Sequence, residues 1–302
     1  MGGFLLSQQN FDNLHRFLFS DVSIRGEVVQ LCESVQTAMD AKPYPPAIQQ
    51  LLSEMMVATS LLTATLKFEG EISLQLQGGG LLDYALVNGT DTQTMRAVAK
   101  WQPAVQEQTF AELIEKGTLA ITIMPKKGQQ YQGIVALDKP TLAECLESYF
   151  EQSEQLATQV ILHTLKEGQQ NFAAGMLLQA VPESDVSHQQ QNEAFQHLSQ
   201  LTQTITAEEL VKLPVEQILH RLYHQEDVTL FDPQPVAFSC TCSRAKTAQA
   251  LMGLAKSELD EILLERGVIA TSCHYCGTEY QFTKQDVDAL FMEEIGTPDI
   301  RH

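Results

Sequence analysis

Cys240-Thr241-Cys242 and, after residues 243–272, Cys273-His274-Tyr275-Cys276-Gly277 decide how the rest of this chain is read. A tetrahedral zinc ion takes four soft ligands, and two close cysteine pairs at the ends of short elements can supply them. The CxxC-Gly form is a knuckle whose turn aims both sulfurs at one ion. Gly277 can take φ > 0 there, so that a backbone N–H meets a thiolate. The tighter CxC spacing of Cys240 and Cys242 suits a bend, not a straight strand. Cys240, Cys242, Cys273 and Cys276 are therefore the candidate metal ligands, for one zinc per chain.

Around the cysteines, residues 236–302 read as a unit too small for a comfortable hydrophobic core, so a staple is expected. Val236 to Ser239 reads as a strand leading into Cys240, and Ser243 to Leu254 as a helix. Ser257 to Arg266 reads as a second helix, capped by Ser257 and ended by Gly267. Val268 to Ser272 and Glu279 to Phe282 bracket the knuckle as a hairpin, and Thr283-Lys284-Gln285-Asp286 opens a last helix.

Residues 1–178 read as one mixed domain. Pro43 to Lys67 repeats Leu51, Leu52, Met55, Ala58, Leu61 and Leu62 at helical spacing with few charges, the pattern of a core helix more than of a binding groove. Glu71 to Gln77 alternates apolar and polar residues, a half-buried strand; Gly78-Gly79-Gly80 breaks it and Leu82 to Val87 returns. Leu119 to Met124 and Tyr131 to Leu137 flank Pro125-Lys126-Lys127-Gly128 as a second hairpin. Thr141 to Gln155 reads as helix, and Thr158 to Leu162 and Gly175 to Ala180 as short β or helical segments. Strands and helices without βαβ alternation predict an α+β fold.

Residues 179–235 change character. They hold ten Gln and nine acidic residues against Lys212 and Arg221. Thr206-Ala207-Glu208-Glu209 is a capping box, Pro214 interrupts, and Val215 to His224 carries a narrow stripe through Ile218, Leu219 and Leu222. Short polar helices of this kind are marginal alone and must dock on something. The segment reads as an acidic, Gln-rich helical linker whose structure is conditional.

The chain has 302 residues, 19 basic and 38 acidic, for a formal net charge of −19. That charge works against nucleic acid and against an anionic membrane face. No apolar run is long enough to span a bilayer, and MGGFLLSQQNF lacks the charged n-region of a signal peptide. Leu6 stands where a myristoylation signal wants Ser or Thr. The expected compartment is the cytoplasm, where clustered cysteines mean metal or redox chemistry in preference to permanent disulfides.

A purely structural zinc site is the plainest reading of the quartet. A redox reading follows from the capacity of CxC and CxxC to close as nearest-neighbour disulfides, the first in a strained and labile ring. Zinc keeps its ligands as thiolates, the form an oxidant attacks. Beside a marginal linker, a zinc-dependent unit would make a redox trigger. Two other classes stay open. A thiol–disulfide oxidoreductase would want CxxC at a helix N-terminus, and a zinc-ribbon interaction module for nucleic acid sits poorly with the charge.

Several further segments carry a resemblance: HRFLF at 15–19, SIRGEVV at 23–29, VATSLLTATLKFEG at 57–70, YQGIVAL at 131–137 and AECLESYFEQSEQL at 143–156. With the CxC…CxxC pairs, they make the chain similar over nearly its whole length to the heat-shock protein 33 family of redox-regulated, ATP-independent holdase chaperones. The resemblance implies a non-enzymatic protein of the bacterial cytoplasm that binds unfolding clients under oxidative stress. It implies a reduced, zinc-bound, inactive monomer. Oxidation would form Cys240–Cys242 and Cys273–Cys276 disulfides, release zinc, unfold the linker and favour a homodimer. Gly78 to Gly80 depart from the family, where Pro is frequent, which affects only that loop.

The remaining candidates have plainer readings. Cys32 and Cys145 lie in helix-like apolar surroundings and read as inert thiols. His220 and His224 are spaced i, i+4 without a third ligand and read as a solvated face. His274 could replace a sulfur but is surplus beside four cysteines. Neither a phosphate loop nor a Gly-x-Gly-x-x-Gly is present, which fits an ATP-independent protein.

Overall fold

The computed structural model describes residues 10–65, 69–181 and 187–295. The start MGGFLLSQQ, Leu66 and Lys67 of the expected core helix, residues 182–186 of the linker segment and residues 296–302 lie outside these. The described chain forms two compact units, 1–239 and 240–302. The fold is α+β, as expected.

The first unit is built on two sheets. In one, β1 (Asn13–Phe19), β2 (Ile24–Leu31), β9 (Gln170–Ala180) and β8 (Thr158–Glu167) run antiparallel in that spatial order. In the other the order is β5 (Thr94–Trp101), β4 (Leu82–Thr90), β3 (Gly70–Gln77), β6 (Gly117–Pro125) and β7 (Tyr131–Leu137). Both expected hairpins, β3–β4 and β6–β7, are there in register.

Between the sheets lies α2 (Pro46–Thr65), against β2 and β9 on one side and β4 and β5 on the other. Its Leu/Met stripe is core, and the helix is buried nearly all round. It also buries hydroxyls, which return to carbonyls one turn back: Ser53 to Gln49, Thr59 to Met55 and Thr63 to Thr59, each at 2.7 Å. Close approach needs glycine on both sheets. A Cβ on Gly175 would meet Val57 Cγ1 at 2.3 Å, and one on Gly89 would meet Thr59 Cγ2 at 2.7 Å.

The expected helix at 141–155 is α4 (Leu142–Tyr149), opened by the Thr141–Glu144 capping box and continued as a π turn over Phe150–Glu154. The segments at 158–162 and 175–180 are longer than expected and wholly β. They are parts of one hairpin turned at Gly168 (φ +61).

The linker helices α5 (His188–Thr202), α6 (Ala207–Lys212) and α7 (Val215–Tyr223) pack on the face of the first sheet away from α2. The capping box at Thr206 is present. Val215, Ile218, Leu219, Leu222 and Tyr223 are all buried, and they form a second core with Phe17, Phe19, Ile24 and Val28 of β1–β2 and Met176 of β9. Gln30 reaches across from β2, its Nε2 donating to the carbonyls of Leu210 at 2.7 Å and Leu213 at 2.9 Å. One part of the segment differs from the helical expectation: β10 (Val228–Leu230) and β11 (Gln234–Pro235) are strands that pair with β1. Pro233 and Pro235 stop helix there, and the outer edge of β1 supplies partners. Then β12 (Ala237–Phe238) joins the second sheet parallel to β5.

Glu27 of β2 is 2% exposed, and its Oε2 has no hydrogen-bond partner. Burial pushes its carboxyl up to about 7 against the pull of Arg25 and Arg16. Between the unfolded value of 4.5 and about 7 the folded chain keeps a proton that the unfolded chain has released, so stability falls as pH rises through that window. The expected cost, complete above the folded value, is about 3 kcal/mol. Urea unfolding at pH 4.5 and pH 8 should show this loss in the wild type and not in Glu27→Gln. Equal losses in both proteins would acquit Glu27.

Candidate metal centre

The second unit is small. Its core gathers around Leu251, Leu259, Leu263, Ile269, Phe282 and Val287, drawn from α8 (Arg244–Leu251), α9 (Lys256–Arg266), β13 (Ile269–Ser272), β14 (Glu279–Phe282) and α10 (Lys284–Ile295). Gly267 ends α9 at φ +74 as expected, but Ser257 is not its cap. The helix begins one residue earlier, and Glu258 reaches back to the N–H of Ala255. Ser243 caps α8 by accepting from the N–H of Lys246.

The two cysteine pairs come from different segments of this unit. Cys240 and Cys242 immediately precede the cap of α8. Arg244 fixes that helix start: its guanidinium lies 4.4 Å over the Phe282 ring, pairs with Asp286 at 2.9 Å and donates to the Gln281 carbonyl. Lys246 Nζ donates to the Thr241 carbonyl at 2.9 Å, holding the residue between the two sulfurs. Cys273 and Cys276 sit in the turn between β13 and β14. Cys273 N–H donates to the Thr278 carbonyl, and Gly277, at φ +71, donates to the Cys273 carbonyl at 2.9 Å. Gly277 takes the expected positive φ, and its own N–H closes the turn through a carbonyl, not a thiolate.

All four sulfurs lie within 4.8 Å of one another, and among the described residues this is the one such group of three or more possible ligands. Cys240 and Cys273 approach to 3.6 Å, and Cys242 and Cys276 to 3.4 Å. These distances are far beyond a sulfur–sulfur bond of about 2 Å. They are close to the edge of about 3.8 Å expected for a tetrahedron with Zn–S near 2.3 Å. The donor set fits a metal ion.

Two neighbours were not legible from the motif. Tyr280 Oη donates to Cys242 Sγ at 3.1 Å, and Thr278 Oγ1 lies 3.2 Å from Cys276 Sγ. Their i, i+2 spacing around the strand after the knuckle is the available signal, because alternate residues share a face. The environments differ sharply. Burial pushes the Cys240 thiol up to about 12. At Cys276 burial also acts upward, but hydrogen bonds from Thr278 and the neighbouring thiols outweigh it and bring the group down to about 6. Four sulfurs this close cannot all ionise without a countercharge, which a divalent cation supplies.

The other candidates fall elsewhere. His274 is exposed and outside the sulfur group. His220 on α7 and His224 just past its end are exposed, with ring centroids 6.2 Å apart. Cys145 is buried in α4, and Cys32 is half-buried at the start of α1 (Glu33–Asp40); burial raises both thiols, Cys32 to about 11.

A family model described as Hsp33 protein matches residues 12–283. A 33 kDa chaperonin of Shewanella sediminis is 53% identical over 281 residues, covering 93% of this chain and 96% of that protein. The 33 kDa chaperonin of Pseudoalteromonas atlantica is 51% identical over 283 residues, covering 93% and 95%. The crystal structure of a 33 kDa chaperonin (heat shock protein 33 homolog) from Thermotoga maritima shares the fold, with a TM-score of 0.82 at 19% identity over 95% of this chain and all of that one. Among the described residues no helix is long and apolar enough to cross a membrane. Matched by that model over most of its length and by relatives of about half identity over nearly all of it, this chain belongs to the Hsp33 family.

Proposed function

We propose that this non-enzymatic chaperone is a cytoplasmic, redox-switched holdase, with Cys240, Cys242, Cys273 and Cys276 as both zinc ligands and redox centre. The observation that carries the reading is the convergence of four cysteines, within 4.8 Å, in a unit with a small core. Zinc, when bound, holds the sulfurs as thiolates and staples the unit. Each pair of thiolates reduces one peroxide: the first sulfur becomes a sulfenic acid with release of hydroxide, and the second displaces a further hydroxide to close the disulfide. Two pairs consume about two peroxides and four thiols per chain. With thiolates gone the staple is lost, and the unit and the acidic helices 179–235 loosen. Apolar surface for unfolding clients is exposed without ATP, and a reduced monomer gives way to an oxidised homodimer.

The pairing proposed is Cys240–Cys242 and Cys273–Cys276. The shortest sulfur contacts run across these pairs, so peptide mapping of the oxidised chain is the check on it. Under mild heat with peroxide, the expected result is about one zinc released per chain with four thiols consumed, together with suppressed aggregation of an unfolding client. Zinc retained with thiols intact would make the site structural only.

A further inference from the structure

The open edge of β8 borders a cleft of about 610 Å³ in the first unit, walled by the first half of α2 and by the starts of α3 (Phe110–Ile114) and α4. Val160 N–H points to this edge, where the Glu147 carboxylate accepts it at 2.8 Å. In an antiparallel ladder the outward groups alternate, so Leu162 and Thr164 also direct N–H and C=O away from β9. Leu162 lines the cleft. The floor is apolar, through Leu51, Phe110 and Leu113, and three carboxylates line it, Glu54, Glu107 and Glu144. No Lys or Arg does. The starts of α3 and α4 are satisfied by their own capping boxes and leave no anion site.

We propose that this cleft binds an extended polypeptide segment of alternating apolar and basic residues, which adds as a strand to the outer edge of β8. An unpaired edge offers backbone hydrogen bonds to any extended chain, while the pocket chooses among side chains. The carboxylates choose basic ones, and burial, which raises the Glu54 carboxyl, makes a cation there a welcome partner. This deepens the chaperone reading and rests on it: the cleft captures one short segment of a client, and holding a whole client still needs the surface that oxidation exposes.

The test is fluorescence anisotropy of labelled nine-residue peptides alternating Leu with Lys, Gln or Glu, added to the reduced full chain. The Leu–Lys peptide should bind at least tenfold tighter than the Leu–Glu peptide. Leu162→Pro removes an N–H that β9 does not use, and should weaken the Leu–Lys peptide about tenfold. Glu54→Gln should weaken Leu–Lys and leave Leu–Gln unchanged, a readout that misfolding would not produce. Equal binding of Leu–Lys and Leu–Glu overturns the proposal, as does indifference to Leu162→Pro. So does tighter binding of a peptide copying residues 1–9, or a change of oligomeric state as the main effect of Leu162→Pro, which would give the edge to a second copy. Aggregation assays on oxidised wild type separate the two levels: if they fail, the chaperone reading falls, and if they succeed while the peptides fail, only the cleft does.

Discussion

Cys273→Ser should leave the reduced protein with almost no bound zinc and with its second unit unfolded. The arithmetic favours a complete effect. A structural zinc ion contributes roughly 10–16 kcal/mol of apparent binding free energy in small domains. Against it stands a core of a few side chains, chiefly Leu259, Leu263, Ile269 and Phe282, in a unit of residues 240–302. Units of this size rarely stabilise themselves by more than about 3–5 kcal/mol. The backbone bonds of the turn, Cys273 N–H to the Thr278 carbonyl and Gly277 N–H to the Cys273 carbonyl, survive the substitution but are too few to hold the unit without metal. Metal analysis of purified protein should read near zero, and hydrogen exchange should be fast over α8 to α10. Cys32→Ser, a change in the first unit and outside the sulfur group, should keep about one zinc and full protection. A Cys273→Ser protein that retains its metal, or keeps a protected second unit without it, would remove zinc as the staple.

How much of this was legible in the sequence depended on where each pattern's partner lay. The quartet could be read because all four ligands sit in two short motifs whose spacing is itself chemistry. The hairpins β3–β4 and β6–β7 could be read because one face is buried and the other wet, so apolar residues alternate. β9 offered no such alternation: Phe172 through Ala180 are buried on both faces, against α2 on one and the linker helices on the other. Its sequence therefore marks a buried segment without choosing between strand and helix. Gly168 at φ +61 was the local signal for its turn. The narrow stripe of α7 announced that the helix must dock, but not on what. Its partners include Phe17 and Phe19, nearly two hundred residues earlier, and no local pattern carries that distance.

The docking of those helices yields the second large prediction. Tyr223→Ala should release α5 to α7 from the first sheet in fully reduced, zinc-loaded protein. Tyr223 is 2% exposed, its ring edge-on to Phe19 at 4.9 Å and 6.1 Å from Phe17, and its hydroxyl paired with Thr202 of α5. One side chain thereby ties two linker helices to β1. Truncating a buried aromatic costs about 3–5 kcal/mol. Isolated helices of six to fifteen residues cannot make up that loss, because their stability comes from the surface they cover. Tyr223→Phe keeps the rings and loses one hydrogen bond, so it should cost only about 1 kcal/mol and leave the helices docked. Hydrogen exchange of the Ala variant should accelerate over 188–223 while α2 stays protected, since α2 belongs to the other core. On the proposed function the same variant should suppress client aggregation without oxidant. Equal acceleration in α2 would mean that the two cores melt as one. Unchanged protection of α5 to α7 would mean that Tyr223 does not hold the linker.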